Sequence, residues 1–214
     1  MRHIPLIAAA FNLLISGPAF AQEWIEYTSQ QDFFTINFPT EPKVQDITYT
    51  TEYDITLPGR VYSAAEGKNR YSVTVIDYTG AEGIHADRSK KCKATGAYPD
   101  VCADHARLDL RGALIYATWG FLKRDAKVTF YAYYNSDLVE GQQLQLSNPD
   151  GSRTFAAVHM HENRIYILEG TVPKGAPQPA LFQQSLGFID KEGKRVRYTS
   201  IYSNAYPPPP RLVR

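Results

Sequence analysis

The chain has 214 residues, 43% of them hydrophobic, with 23 Lys and Arg against 22 Asp and Glu. A formal charge of +1 leaves no electrostatic footprint for nucleic acid or for an anionic membrane surface. The length suits one domain that buries about 70% of its unfolded surface, so folding requires no metal and no cofactor is implied.

The first 21 residues read as a secretory signal peptide. Arg2 and His3 open it, Ile4 to Ile15 form an apolar run too short for a stable membrane span, and Gly17-Pro18 breaks that run. Ala19-Phe20-Ala21 is a small-x-small site, which predicts cleavage between Ala21 and Gln22 and release into the periplasm or beyond. No cysteine stands near this site, which excludes a lipobox anchor, and no later run is long and apolar enough to span a membrane. Loss of Arg2 brings Lys and Arg from 23 to 22, equal to the Asp and Glu.

Residues 22–204 then read as one globular domain, followed by a proline-rich tail over 205–214. Phe33 to Phe38 alternates aromatic and polar residues and stops at Pro39, as a strand does. Residues 45–52 are rich in Thr, Tyr and Ile and predict a half-solvated strand. Leu57-Pro58-Gly59 predicts a turn before extended chain at Arg60 to Ala64, and Arg70 to Tyr78 is the clearest strand of the first half. Residues 81–104 are polar and small, with a basic cluster at Lys90, Lys91 and Lys93 that a solvated loop explains. Asp104 is placed to cap a helix whose apolar face is Ala106, Leu110, Ala113, Leu114, Ala117 and Phe121, although Gly112 weakens it by about 1 kcal/mol relative to alanine. The alternation of Leu108-Asp109-Leu110 offers a strand as the competing reading.

The second half reads as a β-meander. Strands are predicted at 128–134, 143–147, 154–160 and 164–170, with a hairpin at Asn148-Pro149-Asp150-Gly151 and a turn at His161-Glu162-Asn163. Pro173 to Pro179 is a connector, Ala180 to Leu186 has helical spacing, and Lys194 to Tyr202 is a last strand. Pro207 to Pro210 predicts a solvated polyproline segment, with a ligand for a proline-reading groove as the functional alternative. This order predicts an α+β fold, mostly antiparallel β-sheet covered by two helices.

Several of these segments together resemble a known family. Phe34-Thr35-Ile36-Asn37-Phe38-Pro39 with Pro42 is similar to the F-x-V-x-F-P-x-x-P opening of many small exported bacterial proteins. Residues 164–170, Pro173 and residues 181–188 resemble their closing strand and helix. The order is similar to the PsbP-like family, which includes a photosystem II extrinsic subunit and a Ran-binding factor. The resemblance implies a PsbP-like sandwich serving as a non-enzymatic binding or accessory scaffold, and it carries over no functional residue. Its general pattern does not include the segment between Cys92 and Cys102.

Chemistry-bearing residues are sparse. His159 and His161 alternate on a predicted strand beside Glu162, so both imidazoles share a face and form a candidate metal site, with His85 or His105 as a third ligand. The plainer alternative is that Val158 and Met160 face the core and the histidines face solvent. Tyr131, Tyr133, Tyr198 and Tyr202 interleave with Lys127, Arg195 and Arg197 on predicted strands. Tyr131, Tyr133, Arg195 and Arg197 form a candidate binding surface for an envelope protein or a glycan, against the plainer reading that tyrosine suits a half-wet sheet face. No G-x-S-x-G, H-E-x-x-H or Walker sequence occurs, and Ser185 has no identifiable base beside it. A binding or accessory role is therefore the leading reading, a metal- or small-ligand-binding protein the second, and a hydrolase with a dispersed site the third.

Cys92 and Cys102 are the only cysteines, spaced too widely for a zinc knuckle and wrongly for a C-x-x-C redox pair. An oxidising compartment predicts that they pair with each other, stabilising the fold by somewhat under ~3 kcal/mol, with an intermolecular bridge or a catalytic thiol as the alternatives. Denatured but unreduced exported protein is expected to show no thiol reactive to a colorimetric reagent, and finding two would overturn the pairing.

Overall fold

The computed structural model describes residues 24–98, 101–204 and 206–212, so the cleavage site at Ala21 and Gln22 lies outside the described residues. The chain opens with a hairpin, β1 (Ile25–Ser29) and β2 (Phe34–Phe38), and continues into a meander of β3 (Lys43–Thr50), β4 (Thr56–Glu66) and β5 (Asn69–Asp77). Two helices, α1 (Ala81–Ala94) and α2 (Ala106–Leu122), carry it to a second meander of β6 (Lys127–Ser136), β7 (Val139–Ser147), β8 (Arg153–His161) and β9 (Arg164–Val172). It closes with α3 (Ala180–Gln183), β10 (Gly187–Ile189) and β11 (Arg195–Val196).

The two meanders join where β5 pairs antiparallel with β9, giving a seven-stranded sheet in the order β3-β4-β5-β9-β8-β7-β6. The first hairpin joins the last two strands in a four-stranded sheet, β1-β2-β10-β11. Side-chain alternation divides the larger sheet into two faces. Tyr62, Val73, Val75, Tyr166 and Leu168 point to the smaller sheet and pack with Phe34, Phe38, Phe182 and Phe188. Ile76, Leu144, Val158, Met160 and Ile165 point the other way, toward Ala113, Ala117 and Phe121 of α2. β8 lies under both layers, and Thr154 to His161 are all buried.

The expected coverage of the sheet by two helices does not hold, and the α+β reading is corrected accordingly. One face of the large sheet is covered by a second sheet, with α3 reduced to one turn at its edge. On the other face α2 packs mainly over β7, β8 and β9, and it reaches β3 through the Tyr49–Tyr116 ring contact. Ser63 and Ser72, paired across β4 and β5 on that face, remain half-buried, while Thr74 and Glu169 lie beside the end of α2. The topology gives the reason: the crossover from β5 must reach β6 at the far edge, so its helix lies over the strands it crosses.

Other sequence expectations are adjusted locally. Residues 81–94 form a helix where a polar loop was expected. Its inward stripe is Ala81, His85 and Ser89, at helical spacing but too small and polar for an apolar period to reveal. Leu57-Pro58-Gly59 is strand, with Pro58 opposite Thr48 and pairing to β5 beginning only at Gly59. The expected strand over 194–202 shrinks to Arg195–Val196, followed by isolated bridges from Tyr198 and Tyr202. The prolines of the tail are mostly exposed, but its ends are held: Thr199 N–H donates to the Pro210 carbonyl (3.0 Å) and Leu212 N–H to that of Arg197 (2.8 Å). Cys92 and Cys102 form a disulfide, which ties the end of α1 to the segment entering α2 and is compatible with a location outside the cytoplasm. Among the described residues no helix is long and apolar enough to cross a membrane.

A buried carboxylate fastens the two sheets. Asp32, 1% exposed in the β1–β2 turn, accepts hydrogen bonds from Arg60 Nε (2.6 Å) and Nη2 and from the Tyr62 hydroxyl (2.5 Å), both on β4. Its backbone carbonyl accepts from the Tyr166 hydroxyl on β9 (2.8 Å). Burial and then the Asp32 carboxylate push the Tyr62 phenol up, so it stays a donor. Removing one partner of a buried ion pair costs about 3–5 kcal/mol. The Arg60 side chain is 17% exposed, so water relieves part of that cost. Asp32→Ala is therefore expected to lower the unfolding free energy by about 3 kcal/mol in urea titrations. A loss under about 1 kcal/mol, the level of a surface pair, would show that the clamp does not hold the sheets.

Candidate functional site

The His159 and His161 pair projects to one face, as strand alternation requires, but that face is the inter-sheet core. The two residues are 0% and 1% exposed, which also overturns the solvent-facing alternative. His159 lies over the backbone of β7 because its cross-strand partner is Gly141, where a Cβ would stand 2.4 Å from the imidazole Nδ1. That Nδ1 is 3.3 Å from the Val139 carbonyl and donates to it. His161 Nε2 pairs with the Tyr198 hydroxyl (2.7 Å), and its ring packs against Phe188 and Tyr202.

Glu162 does not join them. It sits in the exposed turn that follows, at φ +45°, and pairs with Arg211 of the tail (2.5 Å). His85 is on α1 and His105 precedes α2, both on the helical side of the large sheet. Among the described residues no group of three or more His, Cys, Asp or Glu side chains is placed to hold a metal ion. The histidines thus fasten the C-terminal segment to the core, and the expected metal centre is not assembled.

The tyrosine and arginine surface divides in the same way. Tyr131 and Tyr133 stand on β6 facing α2, whereas Arg195 belongs to β11 of the smaller sheet on the opposite face and Arg197 follows it. Arg195 lies across Gly187, where a Cβ would meet its guanidinium at 2.6 Å, and its Nε donates to Asp137 (3.0 Å). Arg197 approaches the same carboxylate at 3.9 Å. The arginines are therefore engaged with an acid at the sheet junction and are not interleaved with the tyrosines.

The tyrosines keep the open setting. β6 is the last strand of its sheet, and Tyr131 and Tyr133 are 51% and 61% exposed. Together with Arg111, Leu114 and Ile115 of α2 and Gln142 of β7 they line a groove of about 410 Å³. The Tyr131 hydroxyl donates to Gln142 Oε1 (2.7 Å), which fixes that ring upright beside the helix. Ile115 on the opposite wall is 66% exposed. Burial and the nearby Glu140 raise the Tyr133 phenol, so it stays a neutral hydrogen-bond donor, while Arg111 and Glu140 bring one charge of each sign to the lining.

One polar cluster escaped sequence reasoning. Asp109, 1% exposed within the inward stripe of α2, accepts from Thr51 Oγ1 (2.6 Å) and from His85 Nε2 (2.9 Å). Ser89, one turn beyond His85, donates to the Cys102 carbonyl (2.6 Å), and Tyr53 stacks on His105 at 5.0 Å between ring centres. A carboxylate that orients an imidazole is an element of acid–base sites. Here the serine beside it is spent on a backbone carbonyl, and the bonds lock α1, α2 and the β3–β4 turn together. The signal for it was an acid at position 109, in phase with Ala113, Ala117 and Phe121 in an otherwise apolar stripe.

The buried histidines set an acid limit on the fold. Burial lowers His159 to about 4 despite the opposing Val139 carbonyl, and burial followed by Arg211 and Arg164 lowers His161 to about 3. An unfolded histidine titrates near ~6.5, so below that pH the unfolded chain binds protons that the folded chain refuses. Stability is therefore complete above about pH 6.5 and is lost as pH falls toward 4. Urea unfolding is expected to show a decrease of at least about 2 kcal/mol between pH 7 and pH 5. Stability flat or rising over that interval would contradict burial of neutral imidazoles. No protein-family model matches the chain and no curated protein matches it, which leaves the surfaces themselves as the ground for a functional reading.

Proposed function

We propose that the chain is exported by cleavage after Ala21 and acts as a non-catalytic binding or accessory protein of the cell envelope. Its binding face is the groove between β6 and α2. The observation that carries this reading is the apolar side chains displayed there. Tyr131 and Tyr133 on β6 and Ile115 on α2 are each more than half exposed, and they line the same groove. Contiguous exposed aromatic surface of this kind is characteristic of protein interfaces, where tyrosine supplies area at low entropic cost. The Cys92–Cys102 disulfide supports a location outside the cytoplasm. The resemblance of residues 34–42 and 164–188 to the PsbP-like family points to binding without catalysis as well.

The partner we propose for this face is an envelope protein. A photoreactive amino acid at position 133, expressed in the native host, is expected to give a discrete protein adduct that a probe at position 63, on the half-open part of the sheet, does not give. With the adducted protein purified, Tyr131→Ala/Tyr133→Ala should weaken binding at least about tenfold. The melting temperature should stay within about 2 °C, because the tyrosines are surface side chains. Unchanged affinity in the double variant would overturn the reading, and so would an adduct formed equally well from both positions.

A further inference from the structure

A second recess lies on the other side of α2, where the helix ends and the uncovered half of the large sheet begins. Its aromatic lining is Tyr49 of β3 with Tyr116, Trp119 and Phe121 of α2. Thr74 and Ile167 form its sheet floor, Thr50 lies beside them, and Lys123, Arg124 and Glu169 form the rim. Its volume, about 370 Å³, falls within the ~300–1,000 Å³ of ordinary small-molecule sites.

The chemistry of the lining narrows the ligand. Trp119 is 50% exposed, and the Lys123 ammonium stands 5.5 Å over its ring, so the indole face is reachable by a polar group. Tyr49 and Tyr116 meet edge to face at 6.3 Å. Burial, then Tyr116 and Asp109, push the Tyr49 phenol up to about 12, so it remains a hydrogen-bond donor. Arg124 donates through Nη1 and Nη2 to the two carboxylate oxygens of Glu169 (2.6 and 2.9 Å) while its guanidinium covers Phe121 at 4.2 Å. That pairing cancels the charges of Arg124 and Glu169 against each other, so a ligand meets an aromatic and hydroxyl-bearing lining whose one remaining charge is the Lys123 ammonium over the indole ring. The threonine hydroxyls and the planar ion pair disfavour a wholly apolar one. A neutral molecule with C–H faces and many hydroxyls satisfies both halves of the lining.

We propose that this recess binds a neutral saccharide, with a sugar ring laid against Trp119 and its hydroxyls bonded to Glu169, Arg124 and the floor threonines. The C–H face of a pyranose carries partial positive charge and complements the negative face of the indole. The fixed Arg124–Glu169 pair presents donors and an acceptor in one plane, as adjacent hydroxyls require. This site goes beyond the β6 surface and does not depend on it, since it uses the opposite flank and the end of α2.

The chain contains two tryptophans, Trp24 and Trp119, and Trp24 packs edge-on against Tyr71 in the other core layer. Full-length Trp24→Phe protein therefore reports on Trp119 alone. Titration with cellohexaose, maltohexaose, chitohexaose and mannohexaose is expected to give a saturable change in tryptophan fluorescence with at least one of them. Isothermal titration of Trp119→Ala with that saccharide should show binding weakened at least about tenfold, with an unchanged circular dichroism spectrum. Tyr131→Ala/Tyr133→Ala should bind it as tightly as the parent, which separates this site from the protein-binding face. No saturable change with any of the four at millimolar concentration overturns the proposal. Affinity that survives Trp119→Ala overturns it too, as does binding restricted to sulfated or uronic-acid glycans.

Discussion

The Asp32 carboxylate sets the arrangement on which the other features depend. It is nearly inaccessible to water, yet its oxygens meet a guanidinium and a phenol from β4, while its own carbonyl takes the Tyr166 hydroxyl from β9. A buried charge of this kind is tolerated only where its partners are in place, so the β1–β2 hairpin has one seat on the large sheet. Seating it aligns Phe34 and Phe38 with Tyr62 and Tyr166, and the ring contacts between the sheets follow from that register. Burying such rings contributes roughly 2–3 kcal/mol each, but without the pair the sheets lack a fixed position. One face of the large sheet is committed to structure as a result. The histidines that alternate on β8 fall on that face, which is why they became core.

The opposite face is shaped by connectivity. β5 ends in the middle of the large sheet and β6 begins at its edge, so α1 and α2 must bridge the difference. The crossover is held by small polar devices: the Cys92–Cys102 disulfide, the Thr51–Asp109–His85 bonds and the Ser89 bond to the Cys102 carbonyl. A single helix resting on part of a sheet leaves a recess along each of its flanks. On one side the wall is the edge strand with Tyr131 and Tyr133, and on the other it is the hydroxyl-bearing floor beneath Trp119. Both candidate sites are therefore consequences of the same crossover.

What the sequence disclosed follows the type of force involved. The second meander is plain in it, because alternation and the Asn148–Gly151 turn are local signals, and Gly151 does take φ +81°. The start of α2 is nearly as local: the N-cap is His105, one residue after the expected Asp104, whose carboxylate accepts the Ala106 N–H (2.9 Å) from outside the helix. Helix α1 left no apolar period, because its inward residues are alanine, histidine and serine held by partners distant in sequence. Pro58 and Gly59 carry turn chemistry that pairing with β3 overrode. The Asp32 clamp joins residues about thirty and more than a hundred positions apart, and no spacing rule reaches that far. Of the surface residues, Tyr131 and Tyr133 could be singled out because their exposure follows from position on a strand. Arg195 and Arg197 could not be placed, since their face depends on which sheet claims β11.

The edge of that larger sheet explains why the aromatic surface bears on function more than on folding. An unpaired strand presents open backbone donors and acceptors, and charged residues are the usual protection against unwanted pairing. β3, at the opposite edge, has Lys43 and Asp46. β6 has no charge after Lys127, and over Val128 to Tyr134 it consists of Val, Thr, Phe, Ala and three Tyr. Its exposed rings add nothing to either core layer, so packing does not account for them. For an isolated chain such an edge invites aggregation, whereas a partner seated in the groove beside α2 would cover the rings and complete the edge. The same residues are thus a liability or an interface according to whether that place is filled, and their concentration next to a preformed groove favours the interface.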